Sequence, residues 1–460
     1  MSVTASGHSG SPASIVDSST ADLSWLEDVY KHFHQYPELS GAEEQTAAHI
    51  RQQLQFYQDK GWEVTPNIGG YGITAVLRNG DGPTVLMRAD FDGLPVAEHT
   101  DVDYASKNSQ LDASGERVPT MHACGHDQHI TSLLGAMRIL DDVRDKWSGT
   151  FIALFQPAEE ASIGAHRMVS DGLANVIPRP DVCLAQHVIA GPAGQVYSAP
   201  GPVMTSSTTI EITLFGRGAH ASMPDRSIDP VVLAASVIMK LQTIVSREVP
   251  PNKFAVITVA SVEAGKANNV IPDSAKIALS CRFYDEALRK KCVDSIKRVV
   301  RAEAMAAGAD RDPQFKFVGM LGATDNSSEV YDVVRPAFDE AFGEDSLRMK
   351  PWTASEDFSV IPKSFGCPYL LWTVGITPQK QWKRAEAANR LNEDIPTNHN
   401  PSFLPDLSTL PVSTRAAAVG VLSCLQATWE QPAEPLPRMG AVSPTDEEID
   451  AVSVETSSVD

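Results

Sequence analysis

No stretch of the chain approaches the roughly 20 uninterrupted apolar residues that a membrane span requires, so no membrane role is expected. Positive charge is in short supply: 38 Lys and Arg stand against 58 Asp and Glu, a formal net charge of -20. A surface that acidic repels phosphate backbones and excludes nucleic acid as an expected partner. Part of the excess is local, since the seven acids from Glu434 to Asp460 are opposed only by Arg438. Cysteine is scarce as well. Its six copies, at 124, 183, 281, 292, 367 and 424, form no CxxC pair. They do not make a disulfide scaffold, and a reducing compartment fits better. The opening MSVTASGHSGSPASIVDSST has neither a basic nor an apolar segment and does not read as a secretory signal. What is present is ordinary for a globular protein with a sizeable core: 42% hydrophobic and 21% charged residues over a length of 460 that implies more than one domain. The expectation is a soluble, cytoplasmic, multi-domain protein.

Helical and strand patterns alternate along the chain, which predicts an α/β architecture around a largely parallel, buried sheet. Strands are readable at 73–77, 84–88, 150–155, 182–187 and 369–374. Several end in residues of chemical interest, as expected when a site lies at the carboxyl ends of parallel strands. Residues 206–320 follow a different order, β-α-β-β-α-β, the ferredoxin-like pattern. Within it Asp229-Pro230 opens one helix and Asp285 caps a second that runs towards Gly308. The chain therefore divides into a serine-rich disordered tail (1–20), a catalytic domain in two parts (21–205 and 321–430), an inserted lid or dimerisation domain (206–320) and a disordered acidic tail (431–460).

The densest chemical cluster is Met121-His122-Ala123-Cys124-Gly125-His126-Asp127-Gln128-His129. In an extended segment Cys124 and His126 project to the same side, and a thiolate with an imidazole suits a transition metal such as zinc. A helix is expected over 130–140 with Asp127 as its cap, leaving Cys124 at a helix N-terminus whose dipole favours the thiolate. The bland alternative is a buried cysteine beside a polar loop. Glu159 and Glu160 follow directly from an apolar strand, where one carboxylate can bind metal while its neighbour acts as a general base; a solvated turn is the competing reading. Asp90 also ends a strand and can hold a ligand, carry a metal or merely shape a turn before Gly93. His187 closes a strand and His399 lies some 200 residues later, and each alone could be structural.

Read together, MRADFDGLPV, MHACGHDQH, FQPAEE, QHV, GRGAHASMP, ANNVIPD, TASEDFS and NHNPSF resemble, in that order, the aminoacylase-type metallopeptidases. The similarity is greatest to the amidohydrolase branch that includes hippurate hydrolase and the indole-acetyl-amino-acid hydrolases, and HQYPELS at 34–40 resembles that branch's first motif. It covers about residues 25–425. The resemblance implies two divalent ions (zinc, manganese or cobalt) held by Cys124, His126, Glu160, His187 and His399. It makes Glu159 the general base and Asp90 a support of the metal centre. His220 becomes the oxyanion donor, and Asn269 with Arg282 bind the substrate's polar end. Relatives often carry a histidine ligand two residues before the Asp, where this chain has Arg88, and a glycine where it has Ala354.

The implied activity is metal-dependent hydrolysis of the amide bond of N-acyl amino acids or similar small conjugates, by a homodimer formed through the lid. A dipeptidase or exopeptidase of the same chemistry is the first alternative. A metal-binding module without catalysis is the second, disfavoured because holding metal does not require Glu159. A redox role for Cys124 is weakest, since no resolving cysteine lies near it in sequence.

Overall fold

The computed structural model describes residues 10–429. They form two compact units, one of residues 10–203, 325–350 and 357–429, the other of 204–324 and 351–356.

The larger unit is built on an eight-stranded mixed sheet. Its centre is four parallel strands in the order Gly149–Gln156, Thr84–Asp90, Val182–Pro192 and Tyr369–Thr377. All nine residues of Tyr369–Thr377 are buried, as are all of Thr84–Asp90 except Thr84. Strands covered on both faces read as continuous apolar runs, which is why the pattern is legible. The parallel block is narrower than a fully parallel sheet, because Gly72–Asn79 joins antiparallel on one side and Val196–Ser198 on the other. Two buried helices cover one face, His126–Asp142 and Leu410–Leu425, packed on one another.

From Thr84–Asp90 the chain moves to Gly149–Gln156 on one side; from Val182–Pro192 it moves to Tyr369–Thr377 on the other. Between these two adjacent strands the winding reverses. Their carboxyl ends therefore border a crevice that no crossover connection fills.

The smaller unit has the ferredoxin-like order expected from the sequence. Ser206–Phe215, Ala255–Ala264, Ser274–Phe283 and Gln314–Leu321 form a four-stranded sheet, all three pairings antiparallel. The helices Pro230–Glu248 and Glu286–Ala306 connect them. Asp229 accepts hydrogen bonds from the Val231 and Val232 N–H groups, and Asp285 accepts one from Leu288 N–H at 2.9 Å. Each cap satisfies a helix-terminal donor and sets where the helix starts.

One expectation is corrected. Residues 12–17 of the expected N-terminal tail form a helix, Pro12–Asp17, with Ala13, Ile15 and Val16 buried. The serines that suggest disorder are partly capping residues, for Ser11 Oγ accepts from Ser14 N–H at 3.3 Å, and Pro12 suits the first helical position. Among the described residues two helices, Pro230–Glu248 and Leu407–Leu425, are long and apolar enough by length and composition to cross a membrane. The second is a core helix, and the first lays Leu233, Val237, Leu241 and Ile244 into its unit's hydrophobic core. All six cysteines are buried and free. The expected tail at 431–460 lies outside the described residues.

Candidate metal centre

The crevice collects the chemistry. Asp90 ends its strand, opposite Gln156 of the neighbouring strand, and Glu159 and Glu160 follow just beyond. Arg88 pairs with Ala185 on the other side, so two residues further along the parallel strands Asp90 comes level with His187. Met121 enters through an antiparallel bridge to Leu94, and His399 through its N–H to the Ala123 carbonyl at 2.7 Å.

Cys124 and His126 do not lie in an extended segment. Gly125 between them has φ +82°, and a Cβ there would stand 2.3 Å from Val188 Cγ2. Only glycine meets both demands. The helix starts at His126 with Gly125 as N-cap. Asp127 is therefore in the first turn and not the cap; its Oδ2 is 2.6 Å from His34 Nδ1.

The imidazoles are oriented by what their Nδ1 atoms do. His126 Nδ1 donates to the Asp92 carbonyl at 2.9 Å and His187 Nδ1 to the Val188 carbonyl at 2.8 Å. Each Nε2 is thereby left as a lone-pair donor. His187 Nε2 lies 3.6 Å from Cys124 Sγ. His126 Nε2 is 3.6 Å from Asp90 Oδ2, 3.8 Å from Glu160 Oε1 and 4.0 Å from Glu159 Oε2. His399 Nε2 is 3.3 Å from Glu160 Oε1. Among the described residues five groups of donor atoms lie within 4.8 Å of one another, and two of them contain the sulfur: Cys124 with His126 and His187, and Cys124 with Glu160 and His399. A third group joins His126, Glu159 and Glu160.

Electrostatics test whether a cation fits. His126 Nε2 is buried without a hydrogen-bond partner, an arrangement that costs roughly 1–3 kcal/mol unless something else satisfies it. Burial opposes charge on His126, yet Asp90, Asp92 and Glu160 outweigh it and lift its pKa to about 10. Burial, then Glu160, Glu159 and Asp90, push the Cys124 thiol well up. The expected help from the helix dipole is thus overruled by burial and three carboxylates. Burial first, then His129, holds His187 well below the ordinary histidine range. A soft sulfur, imidazole nitrogens and an excess of carboxylates suit borderline divalent cations, and the donor set fits two of them.

The family model described as peptidase family M20/M25/M40 matches residues 86–397. The chain belongs to that family. It is 34% identical over 347 residues to a hippurate hydrolase of Campylobacter jejuni, covering 75% of this chain and 86% of that one. It is 34% identical over 365 residues to an N-acetyl-L-cysteine deacetylase of Bacillus subtilis, covering 76% and 82%. Among solved structures, a dinuclear metal-binding M20 peptidase of Bacillus subtilis superposes with TM-score 0.70 at 26% identity, covering 88% of this chain and 99% of that one.

In this M20 chain Arg88 stands where a histidine ligand was the family expectation. Its side chain is 1% exposed; Nη1 donates to Asp90 Oδ2 at 2.6 Å, Nη2 to Asp357 Oδ1 at 3.1 Å and Nε to Gln156 Oε1 at 2.9 Å. The guanidinium cannot ligate, but it neutralises two buried carboxylates and fixes Asp90. Although burial opposes its ionisation, Arg88, His126 and His129 hold Asp90 well below the usual carboxylate range.

Several residues of the site carry no role in the sequence reading. His129 hydrogen-bonds Asp90 through Nδ1 and accepts from Val188 N–H through Nε2 at 2.9 Å, tying two strand ends together. Asp92 accepts from Glu160 N–H at 2.9 Å and from Ser40 Oγ at 2.6 Å. Asn398 Nδ2 reaches Cys124 Sγ at 3.6 Å and the Val188 carbonyl at 3.0 Å. For His129 a signal exists, since it sits three residues after His126 and shares its helix face. Asp92 and Asn398 stand inside the motifs MRADFDGLPV and NHNPSF, but only the fold shows which groups they meet.

The remaining expected site residues lie in the smaller unit. His220 is on the short strand Ala219–His220, paired with Val270–Ile271, and its Nδ1 is 2.7 Å from Ser222 Oγ. The Asn269 carbonyl accepts from Ala221 N–H at 3.0 Å, so Asn269 and His220 belong to one exposed turn cluster. Arg282 is half-buried on Ser274–Phe283 and donates through Nη1 to Ser207 Oγ at 2.7 Å.

Proposed function

We propose that the protein hydrolyses the amide bond of N-acyl amino acids or similar small conjugates with two divalent cations. Cys124, His126, Glu160, His187 and His399 hold the cations. The single observation that carries this reading is the pair of donor triads sharing the Cys124 sulfur, with Glu159 beside them. Such a pair of cations supplies Lewis acidity towards an amide carbonyl and lowers the pKa of bound water to near neutrality.

The chain's own residues do the rest. Glu159 and Glu160 differ in what they face: Glu160 Oε1 is the nearer to both His126 and His399, which supports Glu160 as ligand and Glu159 as base. Glu159 takes the proton of the attacking water and returns it to the leaving amine nitrogen. Asp90, locked by Arg88 and His129, holds the acidic wall against which His126 is set. His220 supplies an oxyanion donor. Arg282 offers a planar pair of donors for a carboxylate, with Asn269 as a second polar contact.

A homodimer through the smaller unit completes the proposal. Ala255–Ala264 is an edge strand of its sheet. Val232 and Met239, seven apart on Pro230–Glu248, are 65% and 72% exposed and share one helix face. A monomeric mass by light scattering would remove this part.

The experiment is a hydrolysis screen with protein loaded with zinc, manganese or cobalt, against N-acyl amino acids and free dipeptides, with metal counted by elemental analysis. The expected result is two ions per chain and cleavage of the N-acyl amino acids. Cleavage of dipeptides alone would make the protein a dipeptidase, and bound metal without hydrolysis would make it a binding module.

A further inference from the structure

A cavity of about 420 Å³ adjoins the candidate metal centre and is shared by residues 39–42, 93–95, 111–113 and 160–161, all of the larger unit. Its size falls within the range of small-molecule sites. Leu39, Ala42, Leu94, Leu111 and Ala113 give it an apolar lining, and Glu160 of the candidate metal centre borders it. No lysine or arginine lines it; the charged residues are Asp112 and Glu160.

Three separated segments are stitched into this wall. Leu39 bridges Gly93 and Leu94 bridges Met121. Gly93 N–H donates to the Glu38 carbonyl at 2.6 Å, a close approach that glycine eases, because a Cβ would stand 3.0 Å from Pro37 Cβ. The third segment is a hairpin, Ser109–Leu111 paired with Arg117–Pro119. Both of its feet are anchored on one carbonyl: Asn108 Nδ2 and Thr120 Oγ1 donate to Pro37 O at 3.0 and 2.9 Å. Gln110 clamps it in the middle, accepting from Leu39 N–H at 2.7 Å and donating to the Ala42 carbonyl at 2.9 Å. The hairpin tip is closed by Asp112, which accepts from the N–H groups of Ser114 and Glu116 at 2.9 and 3.0 Å. Beside this polar turn Leu111 is 56% exposed, an apolar side chain held out over the cavity's edge by a hairpin with no other evident use for it.

We propose that this cavity receives the acyl group of the substrate and that the hairpin, positioned by Gln110, sets which acyl groups fit. The inference rests on the hydrolase reading above and deepens it. An N-acyl amino acid has one charged end and one uncharged end. A lining without lysine or arginine offers no side-chain partner to the carboxylate end and, being largely apolar, accepts the other. Apolar acyl groups larger than acetyl, aryl or medium alkyl, gain from burial against Leu39, Leu94 and Leu111, whereas acyl groups that end in a carboxylate meet Asp112 and no cationic side chain. Gln110 hydrogen-bonds backbone groups of the loop at 39–42 and acts as a positioning residue.

The test compares kcat/KM for the N-acetyl, N-benzoyl and N-succinyl derivatives of one amino acid with metal-loaded protein. The wild type is expected to prefer benzoyl over acetyl and to discriminate against succinyl by at least about 10-fold. Leu111→Ala should lower the benzoyl-to-acetyl ratio by roughly 10-fold, the low end of what one or two methylenes in an apolar pocket decide. Gln110→Ala should lower it in the same direction and by less, while Gln110→Glu, which keeps the acceptor for Leu39 N–H, should recover part of it. Metal content and melting temperature monitor folding. Calorimetric affinities for the two acyl derivatives, measured in a Glu159→Gln background, should follow the same order without turnover. A benzoyl-to-acetyl ratio unchanged within twofold in Leu111→Ala, with the wild type active, overturns the acyl pocket and leaves the hydrolase reading standing. A wild type that cleaves no N-acyl amino acid overturns both.

Discussion

The two sheets of this protein bury their residues in opposite ways. In the larger unit the parallel strands are covered on both faces, and Tyr369–Thr377 is buried without interruption. In the smaller unit Ser206–Phe215 alternates buried with half-buried or exposed residues, and the edge strand Ala255–Ala264 has one buried residue, Ile257. A doubly covered sheet can present side chains only at its ends, so the chemistry of the larger unit is gathered where strands stop. There it is desolvated, and Cys124, His126 and His187 carry large shifts in proton affinity. The smaller unit offers His220 and Asn269 on an exposed turn cluster. The contrast separates a candidate site organised by burial from candidate groups that stand in solvent.

The largest effect expected from breaking that contrast is at the buried end. Excess chelator should abolish hydrolysis, and divalent metal should restore it. Cys124→Ala and His126→Ala should each lose bound metal and activity together. Full metal occupancy in Cys124→Ala, by elemental analysis, would show that the shared sulfur is not a ligand.

Next come the adjacent carboxylates. Glu159→Gln should keep both ions and lose about 10²–10⁴-fold in kcat, the scale of a general base. Glu160→Gln should weaken metal affinity instead, since a neutral amide replaces a charged donor. The reverse pair of results would exchange the two roles.

The exposed side of the comparison is sharpened by His220→Ala. The expected loss is roughly 10²–10³-fold in kcat, as for removal of one oxyanion donor, with metal content untouched. Wild-type turnover in this variant would take the smaller unit out of the chemistry.

The smallest effect concerns stability. His34 is fully buried, with Nδ1 at 2.6 Å from Asp127 Oδ2 and Nε2 at 2.9 Å from Glu98 Oε1. Burial opposes its charge, but the two carboxylates prevail and raise its pKa from 6.5 to about 9. Because the folded value is the higher one, the contribution is complete below pH about 6.5 and is lost as pH rises through about 9. His34→Gln should therefore flatten the fall in melting temperature between those limits. An unchanged slope would show that the imidazolium does not bridge the two acids.

Much of this is legible from local rules. Continuous apolar runs predict the central strands, and Asp229-Pro230 and Asp285 predict two helix starts because caps are local chemistry. The ordered motifs predict the family. Local rules fail where a residue's partner is remote. Asp before a helical run usually caps it, yet the Asp127 carboxylate goes to His34, 93 residues earlier. The N-terminal serines read as disorder because their caps matter only once Ile15 and Val16 find a core.

By itself, then, the sequence determined the alternating architecture, the inserted ferredoxin-like unit and the residue types of the candidate site, since periodicity, capping and motif order are properties of neighbours along the chain. Only the tertiary structure decided that Arg88 neutralises Asp90 and Asp357, that Asp92 and Val188 set the imidazoles of His126 and His187, and that Gln110 pins a hairpin over an apolar cavity. Those outcomes depend on which strand ends the sheet brings level and on which groups lose water there. Neither is encoded in any window of sequence short enough to read.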